Sequence, residues 1–141
     1  MANLVVFDEA KAKMVEGNWG STDDFYCAIC DDTTPPVRGF STPVISEFSQ
    51  IGSGGSYVLG GENLGALSVL VTESGGVMKF DSVTNPYWSQ HLSNDVDAYW
   101  AIIYNGTSGD CLCFVDLDGP LDLTVGDLTV AWNDSGIFTI T

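Results

Sequence analysis

Residues 98–104 set the strictest condition on what this chain can fold into. Their two faces read Ala98, Trp100, Ile102, Tyr104 and Tyr99, Ala101, Ile103. A strand covered on one side alternates apolar with polar residues, and this one is apolar on both. It must therefore be covered twice. Either it is a central strand with cover on each face, the N-terminal helix being one, or one face lies in a subunit interface. Periodicity alone does not choose between the two.

Around that segment the sequence keeps a period of two. Residues 25–30, 67–72, 77–80, 87–88, 97–104 and 111–115 read as short strands, separated by turn-prone clusters such as Ser74-Gly75-Gly76 and Asn105-Gly106. Pro35-Pro36 forbids regular pairing, residues 43–50 suggest a short helical turn, and 52–61 form a glycine-rich segment around Tyr57-Val58-Leu59. Residues 116–126 are expected to turn through Gly119-Pro120. At the end, Thr129 to Trp132 leads through Asn133-Asp134-Ser135-Gly136 into Ile137 to Ile140, a tight-hairpin signal. A final strand is expected to tie the chain end into a sheet, with no tail for a second domain.

Only residues 3–16 carry a helical pattern. Leu4, Phe7, Ala10, Ala12 and Met14 fall near helical spacing, and Asp8 and Glu9 come early while Lys11 and Lys13 come late, as the helix dipole favours. Glu9 can meet Lys13 at i,i+4, and Gly17 is a natural stop. The expectation is one mainly β domain over residues 1–141, a β-sandwich or jelly-roll-like module from about residue 24 behind one short N-terminal helix.

Charge narrows the partners. Four Lys and Arg stand against nineteen Asp and Glu, a formal net charge of -15, and Arg38 and Lys79 are the only cations beyond the first helix. Nucleic-acid backbones and anionic membrane surfaces both demand clustered cations, so neither is an expected partner. With 45% hydrophobic residues and four Trp, the chain is too apolar to be an acidic disordered segment. Residues 1–8 have no basic region and only a four-residue apolar run. Synthesis in a cytoplasm is expected, without structural disulfides.

The candidates for chemistry each have a plainer explanation. Cys27-x-x-Cys30 with Cys111-x-Cys113 invites a zinc site. Residues three apart on a strand point to opposite faces, however, and all four cysteines occupy apolar strand positions, so core packing is expected and no metal. His91 is the only histidine, set in a polar turn without a Gly-x-Ser-x-Gly elbow, and reads as a surface residue. Asn94-Asp95-Val96-Asp97 and Asp116-Leu117-Asp118-Gly119 offer paired carboxylates, either solvated turn residues or a weak Ca²⁺ site, without EF-hand spacing. The glycine run lacks the dinucleotide fingerprint. Asn105-Gly106-Thr107 and Asn133-Asp134-Ser135 match the glycosylation sequon and read as turns. No catalytic residue, cofactor or metal is expected. Tyr87 and Trp88 with Asp95 and Asp97 leave open a carbohydrate-binding or hydrolytic β-sandwich.

The order of these pieces resembles a group of small virion proteins of tailed bacteriophages. That group has a short helix containing an aromatic, here Phe7, and ending near Gly17. An early "ALVTS" strand corresponds to Cys27-Ala28-Ile29-Cys30, and a "GTGYTAGG" element is echoed by residues 52–61. An "RYAVIYxD" strand resembles residues 98–105, "LIAVIDFGG" resembles 111–119, and "WNxxGIxTL" looks like Trp132-Asn133-Asp134-Ser135-Gly136-Ile137-Phe138-Thr139-Ile140. The likeness spans nearly the whole chain, and its last element is the most specific. This chain departs from it in placing cysteines where the group has Val, Leu or Ile, and in a longer stretch before Ala98.

The resemblance implies a capsid decoration (cement) protein, made in the host bacterial cytoplasm and residing on the outer capsid surface. Its implied partners are the major capsid protein and copies of itself, for example as a trimer. A neck or tail adaptor or attachment protein is the alternative within the virion. Interfaces are enriched in aromatic residues, which makes Leu4, Phe7, Trp88, Tyr99, Trp100 and Ile103 the candidate contact residues, each with core packing as the competing assignment.

Overall fold

The doubly apolar segment lies inside a five-stranded antiparallel sheet, and both of its faces are covered within one chain. The computed structural model describes residues 4–133 and 136–140. In chain order it has β1 (Leu4–Val6), α1 (Asp8–Glu16), β2 (Asp24–Cys30), a 3₁₀ turn (Ile45–Glu47), β3 (Glu62–Ala66) and α2 (Leu67–Leu70). There follow β4 (Val71–Ser74), β5 (Val77–Phe80), β6 (Tyr87–Trp88), β7 (Ala98–Asn105), β8 (Cys111–Leu121), β9 (Leu128–Thr129) and β10 (Phe138–Ile140). The main sheet has the order β1-β8-β7-β2-β3, a second sheet β10-β5-β4, and β6 pairs β9. This is a mainly β, sandwich-like architecture with one helix longer than a single turn.

Register assigns the two faces. Cys27, Ile103 and Cys113 align across β2, β7 and β8 on one face, and Ala28, Ile102 and Phe114 align on the other. The Phe114 face is closed by Phe7, at the start of α1, whose ring centroid lies 5.0 Å from that of Phe114 and 6.1 Å from Phe48. The opposite face carries Phe25 of β2 and is closed by Trp19, at 5.3 Å from the Phe25 ring, and by Phe80, at 5.7 Å, and Phe80 stacks on Phe138 at 5.2 Å. The small sheet is thus bound to the large one through aromatic rings, which contribute beyond their buried area. Cys27 and Cys30 point to opposite faces, as the strand geometry requires, and all four cysteines are free and buried.

The outer edge of β2 is shared by two segments. Its first half pairs β3, and beyond that Asp31 N–H donates to Ser49 O at 2.9 Å and Ile51 N–H to Ile29 O at 3.0 Å. The buried Ile29 N–H donates to the Tyr57 hydroxyl at 3.1 Å, and that hydroxyl donates to Gln50 Oε1 at 2.6 Å. Tyr57→Phe strands a buried donor, so a loss of about 1–3 kcal/mol is expected in chemical denaturation, with the spectrum of the folded state unchanged.

Several expectations are corrected. The helix begins at Asp8, not near residue 3. Leu4, Val5 and Val6 instead form a strand on the open edge of β8, where β-branched side chains fit better than in a helix. Gly17 ends the helix in left-handed geometry as expected, but Lys13 reaches Asp110 at 3.9 Å rather than Glu9. Residues 67–70 form a helical turn, because Leu67 and Leu70 turn inward while Ser68 and Val69 face solvent. β3 follows directly on the glycine-rich segment 52–61, in residues for which no element was expected. β8 runs through Gly119-Pro120, since β7 still offers Ala98 as partner to Leu121. The two terminal strands do not pair with each other: β9 joins β6, and β10 joins β5. Val130 N–H bonds Pro86 O and Trp132 Nε1–H bonds Thr84 O, while Phe138 stacks on Phe80, so each strand follows a different buried partner. The predicted turn residues Asp134 and Ser135 lie outside the described residues.

Candidate interaction surface

The six candidate contact residues separate into two groups. Phe7, Ile103 and Trp88 sit in the core, 0%, 1% and 6% exposed, so for these three core packing is the assignment that holds within one chain. Leu4, Tyr99 and Trp100 remain half-buried. Of these, Tyr99 and Trp100 belong to a defined surface.

That surface follows from the pairing of β2 with β7. Because Cys30 sits opposite Trp100, the residues after β2 and before β7 converge at one end of the sheet. Asp31, Asp32, Thr33, Asp97 and Tyr99 line an open recess of about 350 Å³ there. Trp100 Nε1–H donates to Asp32 Oδ1 at 3.0 Å while its ring meets Phe114 edge-on at 5.9 Å, which fixes the indole between core and surface. Asp31 accepts Thr33 N–H and Ser49 Oγ–H, both at 2.8 Å. Burial raises its pKa, and these hydrogen bonds more than offset that, leaving Asp31 below the ordinary carboxylate value. Asp116 lies across from Trp100 on β8. The three ion pairs among the described residues join Lys11 to Asp8, Lys13 to Asp110 and Lys79 to Asp81, so none neutralises this recess.

Carboxylates only accept hydrogen bonds, and aromatic faces attract cations. The recess is suited to Lys or Arg side chains of a partner surface. Sequence analysis picked out Tyr99 and Trp100 but missed Asp31, Asp32 and Thr33. The signal was present: two strands that pair antiparallel bring the end of one to the start of the other.

The other candidates are occupied elsewhere. Burial pushes the Cys30 thiol up to about 12 and the Cys27, Cys111 and Cys113 thiols upward as well, away from the thiolate form that reacts or binds metal. His91 Nδ1 accepts Ser93 N–H within its own exposed turn. Asp95 accepts the N–H groups of Gly52, Val96 and Asp97, and Asp116 accepts that of Asp118. Asn105 is buried and accepts Thr107 N–H, the role of a turn residue. Trp88 packs against Tyr57 in the core, so it does not form a sugar-stacking pair with the half-exposed Tyr87. Among the described residues no group of three or more His, Cys, Asp or Glu is placed to hold a metal ion, and no helix is long and apolar enough to cross a membrane.

Comparison with protein-family models, curated proteins and solved structures finds no match to this chain.

Proposed function

We propose that this chain is a non-enzymatic structural protein of a tailed-phage virion, a decoration protein that docks on the outer surface of the major capsid protein shell and stabilises it. The observation that carries this reading is the surface around Tyr99 and Trp100. Two aromatic side chains are held at the sheet end among carboxylates that none of the ion pairs among the described residues neutralises. Such a surface is built to meet a complementary basic one, and charge complementarity gives register and encounter rate. The motif order described above supports the virion setting. The charge of -15 suits a protein outside the shell, away from packaged DNA. The positions of the thiols and of His91 support a binding role over a catalytic one.

Quantifying the protein in purified virions tests the reading. Decoration of a symmetric shell requires on the order of hundreds of copies per particle. A handful of copies would instead favour the neck or tail adaptor, and absence from the particle would remove the virion assignment.

A further inference from the structure

One cation of this chain has no carboxylate of its own, and one acidic recess has no cation. Lys11, Lys13 and Lys79 are held by Asp8, Asp110 and Asp81. Arg38 completes the Lys and Arg of the chain, and it makes no ion pair among the described residues. It is exposed, next to Val37, which is 56% exposed. The backbone beneath the two is fixed. Asp8 N–H donates to Arg38 O and Phe40 N–H to Val37 O, both at 3.0 Å, and the Phe40 ring lies 5.0 Å from Phe48.

The recess is the one lined by Asp31, Asp32, Thr33, Asp97 and Tyr99. Its carboxylates differ in what they already hold. Both Asp31 oxygens accept hydrogen bonds, from Thr33 N–H and Ser49 Oγ–H. Asp32 gives Oδ1 to Trp100 Nε1–H and leaves its second oxygen open. The Asp97 carboxylate accepts no hydrogen bond among the described residues. Open acceptors beside a half-buried tyrosine ring suit a guanidinium, which is planar, carries five donors in a fork and stacks on aromatic faces.

Placement makes the contact reciprocal. Asp31, Asp32, Thr33 and Arg38 all belong to the segment between β2 and the 3₁₀ turn, and the stretch from Asp31 to Arg38 spans at most roughly 25 Å. Arg38 is bonded to the first residue of α1. Phe7, just before it, packs on Phe114, which meets Trp100 beside the recess. Arg38 and the recess therefore share one side of the molecule, and a two-fold axis beside this segment brings each to its counterpart. Two copies at -15 repel at long range. At physiological ionic strength that repulsion is screened beyond about 8 Å, while partly buried pairs in contact are screened much less. Arg38 is the one Lys or Arg not already committed to a carboxylate of its own chain. We propose that, in the free protein, Arg38 of each of two copies enters the Asp32–Asp97–Tyr99 recess of the other. This rests on the reading of the recess as a seat for cationic side chains. The same recess faces the shell in that reading, so pairing and docking exclude each other, and a docked copy has left its pair.

Sedimentation velocity of the purified full chain, over a range of concentrations at physiological ionic strength, tests it. The wild type is expected to pass from monomer to dimer and no further. Arg38→Asp and Asp97→Arg change exposed side chains, so each is expected to leave the thermal midpoint in place. Each is expected to weaken dimerisation on the order of 100-fold, since both contacts then set like charges together. In an equimolar mixture of the two variants, one contact keeps both original residues and the other has both charges reversed. A dimer about as tight as that of the wild type is expected to return. If either variant fails to fold, Arg38→Gln or Asp97→Asn replaces it, each expected to weaken dimerisation about 10-fold. A wild type that stays monomeric or assembles beyond a dimer would overturn the proposal. So would an Arg38 or Asp97 variant that dimerises as the wild type does, or a charge-reversed mixture that regains no dimer. No shell enters the assay, so these failures leave docking open, and a shell without added density would remove docking and leave the pair standing.

Discussion

Gly61→Ala is expected to abolish the folded state or lower its stability by more than about 4 kcal/mol, a loss reserved for strained or clashing sites. A Cβ added at Gly61 would sit 1.9 Å from Cys27 O, 2.6 Å from its carbonyl carbon and 2.8 Å from Ala28 Cα. All three atoms are backbone of β2, and no side-chain rotation relieves them. The φ of +81° adds the left-handed penalty of an L residue. To admit the methyl group, the turn must lift off β2, and it takes with it the Tyr57 bond to Ile29 and the Gly60 bond to Gln50. Domains of this size are stable by roughly 5–15 kcal/mol, so the change removes a large share of the whole. Gly75→Ala is the control. It has a φ of +59° with nothing within 4 Å, so it reports the backbone penalty alone, about 1–2 kcal/mol. Denaturation midpoints of the two variants separate clash from conformation. Equal midpoints would mean that the close approach of residue 61 to β2 is wrong.

Raising the pH above about 9 is expected to unfold the protein cooperatively, within two or three pH units. An exposed thiol ionises near 9.0, and burial raises Cys27, Cys30, Cys111 and Cys113 above that, Cys30 to about 12. Below pH 9 both folded and unfolded states hold these protons, and the stabilisation is fully present. Above it the unfolded chain releases protons that the folded chain keeps, so stability falls until the folded values are reached. Each such group contributes up to about 1.4 kcal/mol per pH unit, so four thiols together reach roughly 5 kcal/mol per unit. Burial also raises Tyr57, and Tyr104 to about 12, which extends the fall beyond pH 10. Circular dichroism against pH, with thiolate absorbance followed in parallel, measures this. The two signals are expected to change together, and Cys113→Ala is expected to reduce the slope by about a quarter. Thiolate appearing near pH 9 in a still-folded protein would contradict the buried placement of the cysteines.

The sequence made the β architecture legible because residues 98–104 are apolar on both faces, a condition that only a doubly covered strand or an interface meets. Choosing between those needed Phe7 on one face and Trp19 and Phe80 on the other, whose rings close the two faces from distant parts of the chain. The cysteines were readable as core from the strand parity of Cys27 and Cys30 and from the apolar strand positions that all four occupy. Leu4, Val5 and Val6 were not, since three apolar residues before a helix fit its pattern equally well until the open edge of β8 is known. The terminal hairpin misled for a related reason. Asn133 and Gly136 do form a bridge, but turn chemistry says nothing about which sheet takes each flanking strand. Trp88 was offered as a contact residue because interfaces are enriched in aromatics, and the ring of Tyr57 draws it inward from 31 residues away. The recess around Tyr99 was half legible: its aromatics stood out, while its carboxylates required the β2–β7 register.

Difference density between particles with and without this chain, by cryo-electron microscopy, bears most directly on the central claim. The account places added density on the outer shell, with the end of the main sheet that holds Asp31, Asp97, Tyr99 and Trp100 facing basic residues of the capsid subunits. A shell with no added density, or a contact made by another face with this recess open to solvent, would contradict it.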